Sequence, residues 1–141
     1  MADYFNPKFG SVVRLGFHVS NVDTGQTNVD LSCNSQIGTL MTMPYSGSIV
    51  GLAVKANANV TAGTVAFQAH KDSTEYAQAS SVGVTLTTAA GSSNKGYGTV
   101  RPGVLTFAAG DGLGVSVSSA TNLAATTVDY SADLYVTFDP L

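Results

Sequence analysis

Residues 127–138 read TVDYSADLYVTF, with Val128, Tyr130, Ala132, Leu134, Val136 and Phe138 on one side of a period-two pattern and Asp129, Ser131, Asp133, Tyr135 and Thr137 on the other. Successive side chains of a strand point to opposite faces, so such a run is satisfied only by a half-buried β-strand. The same spacing recurs at Val13, Leu15, Phe17 and Val19, in a short strand at Val29, Leu31 and Cys33, and at Val65, Phe67 and Ala69. It returns at Val82, Val84 and Leu86 and again at Leu113, Val115 and Val117. GSIVGLAVKA at 47–56 is almost continuously apolar, which predicts a strand covered on both faces. Turn-forming stretches such as AHKDST and TAAGSSNKG separate these runs, and no segment carries a helical stripe. The expectation is all-β: a single-domain sandwich of about eight antiparallel strands over residues 11–141, preceded by an aromatic N-terminal arm at 1–10.

A chain of 141 residues can bury roughly 68–70% of its unfolded surface, so two packed sheets need no metal or disulfide to hold them. Charged residues make up only 11% of the chain, against about 25% in ordinary domains. A surface so poor in charge is expected to face other chains. The six basic residues are scattered and the net charge is −3, which argues against nucleic-acid binding. No apolar run approaches the roughly 18 residues of a membrane span, and MADYFNPKFG has neither the basic start nor the apolar run of an export signal. The chain is therefore expected to be soluble and to act where it is made or leave by lysis or assembly. Cys33 is the only cysteine, so no internal disulfide and no cysteine metal cluster is expected, and it reads as a small apolar filler.

The stretch FAAGDGLGVSV at 107–117 poses the sharpest chemical question. Gly110, Gly112 and Gly114 miss the G-x-G-x-x-G spacing, and a strand pattern follows where a phosphate site needs a helix N-terminus. Gly110, Asp111 and Gly112 read instead as a structural turn, most simply a hairpin between VLTF and LGVSV, with Asp111 a turn former and not an acid catalyst. His18 and His70 lie on the faces opposite the large apolar residues of their strands, and neither has a second ligand at local spacing. They are expected to be solvated or interface histidines. There is no G-x-S-x-G elbow, so no catalytic residue, cofactor or metal is expected and the chain reads as a non-enzyme. Asn59-Val60-Thr61 fits a glycosylation triplet but is expected to be a plain loop. Tyr45, Tyr76 and Tyr97 fall in or near predicted loops, where they could stack on a ligand or line an interface.

Three stretches together carry a resemblance: MPYSGSIVGLAVKANANVTAGTVAFQAHKD at 43–72, FAAGDGLGVSV at 107–117 and DYSADLYVTFDP at 129–140. Their P-x-x-G-x-I-x-G strand, T-A-G-T hairpin, A-A-G-D turn at Ala109, Gly110 and Asp111, and G-V-x-V strand resemble small jelly-roll virion proteins of tailed bacteriophages. The strand pattern is also that of the complement and tumour-necrosis-factor heads. The resemblance covers roughly the second two-thirds of the chain. It implies a virion protein, usually homotrimeric: a capsid decoration (cement) protein bound to the major capsid protein, or the receptor- or glycan-binding head of a tail fibre. Decoration is favoured because no fibre shaft is visible and because Tyr4, Phe5 and Phe9 of the arm suit docking on a capsid subunit or an adjacent protomer.

Overall fold

The computed structural model describes residues 12–72, 74–75 and 82–140. Among these residues twelve strands form: β1 (Val12–Val22), β2 (Val29–Asp30), β3 (Ser32–Cys33), β4 (Met41–Thr42), β5 (Gly47–Ala56), β6 (Val65–Lys71), β7 (Thr74–Glu75), β8 (Gly83–Leu86), β9 (Lys95–Thr99), β10 (Leu105–Phe107), β11 (Gly112–Ser119) and β12 (Val128–Phe138). Eight of them are three residues or longer, and no helix forms among the described residues.

The strands make two antiparallel sheets. The first runs β10-β5-β12-β1-β3 with β9 also on β5; the second runs β2-β11-β6-β7 with β4 also on β11 and β8 on β6. The chain passes repeatedly from one sheet to the other, which gives a jelly-roll-like winding. Alternate residues face inward, as the period-two pattern requires. Phe17, Leu52, Leu134 and Val136 of the first sheet meet Phe67, Leu86, Leu113 and Val115 of the second in one core. Phe67 and Tyr130 pack across that core with ring centroids 5.1 Å apart. β5 is buried along most of its length, as its apolar run predicts.

Two local expectations change. The run Val29, Leu31, Cys33 is not one strand: β2 pairs β11 in the second sheet, β3 pairs β1 in the first, and Leu31 lies between them, its N–H donating to the Val115 carbonyl at 2.9 Å. Alternation continues through the crossing because the inward faces of both sheets look into the same core. β9 begins inside the predicted TAAGSSNKG turn. Its inward positions are Gly96 and Gly98, opposite Val54 and Leu52, so it shows no apolar alternation. A Cβ on Gly96 would lie 2.7 Å from Val84 Cγ1, so the glycine is what lets the two sheets close at this edge.

Candidate assembly surfaces

The FAAGDG turn does not close a hairpin. β10 pairs β5 in the first sheet and β11 pairs β6 in the second, so the turn carries the chain across the end of the sandwich. Leu105 and Phe107 enter the core from one sheet and Leu113 and Val115 from the other, and alternation alone cannot distinguish strands of opposite sheets from neighbours. Asp111 accepts the Ala108 N–H on its carboxylate at 2.8 Å while its own N–H donates to the Ala108 carbonyl at 3.1 Å. Gly110 sits at φ 92°, and its N–H donates to the Met43 carbonyl at 2.7 Å. The Asp111 carboxylate is thus engaged by backbone, and no group of three or more potential metal ligands forms among the described residues.

Gly112 and Gly114 have a different purpose. Their outward faces carry the ring of His70 and the segment 39–40: a Cβ on Gly114 would lie 2.6 Å from His70 Cε1 and 2.8 Å from the Thr39 carbonyl, and one on Gly112 would lie 3.0 Å from Leu40 Cβ. His70 is therefore only 4% exposed, not solvated as its outward position predicts. Its Nδ1–H donates to the Asp72 carbonyl at 2.9 Å, and Nε2 lies 3.3 Å from Asp30 Oδ1. That second contact has ion-pair distance without hydrogen-bond geometry, so Nε2 lacks a hydrogen-bond partner. The signal in the sequence was the period-two run of small residues Gly112, Gly114, Ser116 and Ser118, an outward face that leaves room for another layer to pack on it. His18 is exposed and bonds Asn34 Oδ1 through Nδ1 at 2.6 Å. Cys33 is buried, and burial pushes its thiol pKa up, so it is held as an unreactive neutral group.

The outer face of the first sheet carries an open groove. Its central strand β5 presents Gly51 and Ala53, flanked by Tyr135 of β12 and Tyr97 of β9. Small residues between two aromatics leave a groove of about 280 Å³. Tyr97 is 80% exposed and also rims a wider cleft of about 670 Å³ that includes Thr85, Ser92 and Lys95. Charge on this face is partly self-compensated, with Arg14 3.7 Å from Asp133. At one end of the sandwich Tyr45 packs edge-on against Phe138 at 5.7 Å, and Phe138 against Phe107 at 6.2 Å. Exposed Val12, the first described residue, pairs with Thr137 at the same end. Tyr4, Phe5, Phe9 and Tyr76 lie outside the described residues.

No protein-family model matches the chain, and no curated protein matches it. Among solved structures, the cyanophage Pam1 capsid asymmetric unit contains a chain similar at 17% identity and a TM-score of 0.44, covering 92% of this chain and 86% of that one. The PRD1 vertex protein P5 is similar at 12% identity and a TM-score of 0.43, covering 90% and 96%. A chain of the acidic stable capsid structure of Helicobacter pylori bacteriophage KHP30 is similar at a TM-score of 0.52 and 11% identity, covering 92% of this chain and 89% of that one. Over almost its whole length, the chain shares its fold with that KHP30 capsid chain.

Proposed function

We propose that this chain is a non-enzymatic structural protein of a phage particle, a decoration (cement) protein that binds the major capsid protein on the outer shell as a homotrimer and stabilises the head. The observation that carries this reading is the fold shared with the KHP30 capsid chain. The groove in the sheet face around Gly51, Ala53, Tyr97 and Tyr135 supports it, since small residues between tyrosine rings are contact chemistry. Tyr4, Phe5 and Phe9 supply the capsid contact in this reading, each worth about 1.5–3 kcal/mol when fully buried. Gly110, Asp111 and Gly112 act as a structural turn, and no cofactor or metal enters.

A second reading, the receptor- or glycan-binding head of a tail fibre or spike, draws on one feature: the open ring of Tyr97 beside the hydroxyls of Thr85 and Ser92 and the Lys95 amine in the wider cleft. Purified particles separate the two. The decoration reading expects the protein at fixed copy number in isolated heads. It also expects that deleting residues 1–9 leaves assembly and cooperative melting intact while lowering head occupancy. A truncated protein that decorates heads as fully as the whole chain overturns the role of the arm, and binding to host cells or saccharides with none on heads selects the second reading.

A further inference from the structure

We propose that Ile37 of one copy seats in the groove between Tyr97 and Tyr135 of the next, so that copies join head to tail. The inference rests on the reading of the chain as a self-assembling virion protein and names the contact that assembles it.

Segment 34–40 wraps one edge of the sandwich. On the first sheet Asn34 donates its N–H to the Gly16 carbonyl at 3.0 Å and bonds His18 at 2.6 Å. On the second sheet Thr39 and Leu40 lie over Gly114 and Gly112. The segment is tied within itself by the Cys33 N–H on the Gly38 carbonyl at 2.9 Å and flanked by the Thr42 N–H on Gln36 Oε1 at 3.2 Å. Glycines make room for it at both ends, since a Cβ on Gly16 would lie 2.7 Å from Asn34 Nδ2. A segment fixed at so many points has little conformational entropy left to lose on binding. At its crest Ile37 is 102% exposed, the most exposed large apolar side chain described. A branched aliphatic group held out on a fixed support is a knob.

The matching hole lies across the same sheet. In the order β10-β5-β12-β1-β3 the knob stands beyond β3, while the groove lies over β5 and β9 at the far side. Its floor is Gly51 and Ala53, its walls are tyrosine rings, and its volume of about 280 Å³ admits a branched aliphatic side chain. Knob and hole on opposite edges make a heterologous contact, which closes into a ring when the rotation allows. Charge does not oppose it. No charged residue occurs between Asp30 and Lys55, so the knob segment is neutral, and the charges bordering the groove are mixed in sign: Asp133 opposite Ala53, itself paired with Arg14, and Lys55 and Lys95 beyond. The face is of comparable size: its six strands hold 42 residues, which at about 3.3 Å rise and 4.8 Å spacing give roughly 670 Å², against ~800 Å² per partner of a standard interface.

The test is sedimentation equilibrium on the full chain with Ile37→Asp, which spoils the knob, and Ala53→Glu, which fills the hole. Each alone is expected to shift assembly to at least about tenfold higher protein concentration while the circular dichroism spectrum stays that of the wild type. Mixed in equal amounts, the two variants should form 1:1 dimers, because one intact knob meets one intact hole. If Ala53→Glu fails to fold, Tyr97→Ala removes a groove wall in its place. Variants that assemble like an assembling wild type, or a mixture that stays monomeric, overturn this contact and leave self-assembly standing. A wild type that is monomeric both free and on particles overturns the assembly reading and this inference with it.

Discussion

Gly114→Ala is expected to destabilise the sandwich although the glycine has no unusual φ to satisfy. The cause is space. Gly114 pairs directly with His70 across β11 and β6, and the added methyl would stand 2.6 Å from Cε1, 2.8 Å from Nε2 and 2.8 Å from the Thr39 carbonyl. His70 cannot yield freely, because its Nδ1–H is engaged at 2.9 Å by the Asp72 carbonyl and the ring is buried. Displacing the ring forfeits a hydrogen bond worth about 0.5–1.5 kcal/mol, and pushing back the Thr39 backbone incurs an overpacking cost of about 1–3 kcal/mol. A loss of about 2–3 kcal/mol follows, which for a chain of this length lowers Tm by roughly 6–12 °C. Thermal and urea unfolding at one fixed protein concentration measure it, since assembly makes Tm depend on concentration. In a His70→Ala background the same change should cost less, by about 1 kcal/mol, yet not become neutral, because the Thr39 carbonyl remains in the way. A Gly114→Ala protein melting within about 2 °C of wild type would refute the packing argument.

Two further substitutions test the core and the turn. The Tyr130 hydroxyl is buried without a hydrogen-bond partner, so Tyr130→Phe should be neutral or stabilising by up to about 1–3 kcal/mol in urea titration, and a clear loss would reveal a missed partner. Burial raises the Tyr130 pKa. Its contribution to stability is therefore complete below the ordinary tyrosine value of about 10 and is lost as pH rises through the higher folded value, so wild type should weaken more steeply than Tyr130→Phe above about pH 10. Asp111→Ala removes the acceptor for the Ala108 N–H and should cost about 1–2 kcal/mol with oligomeric state unchanged. A folded Asp111→Ala protein of wild-type stability that had lost a catalytic activity would show that the carboxylate is chemical and not structural.

The sequence by itself determined the fold class, because period-two burial is a local property: Val128 to Val136 alternate in the chain and so alternate between core and outer face wherever the strand is placed. It also determined that a strand and not a helix follows the Gly110 region, because the alternation of LGVSV is equally local. Which strands are neighbours was decided only by the tertiary structure. VLTF and LGVSV look alike whether they pair or face each other across a core, and the two sheets share one core, so a run such as Val29 to Cys33 can change sheets without breaking its pattern. β9 escaped notice for the complementary reason that its inward positions are glycines, whose contribution is the absence of a Cβ where Val84 and Leu86 must fit. The same holds at the surfaces. Gly51 and Ala53 become a groove only when β12 and β9 bring Tyr135 and Tyr97 alongside them. His70 is buried only because segment 39–40 closes over Gly112 and Gly114, and Ile37 stands clear only because the rest of that segment is fixed beneath it. Burial on one strand is written in the spacing of its residues, whereas a groove, a cover or a knob is a relation between strands distant in the chain, and no local pattern encodes it.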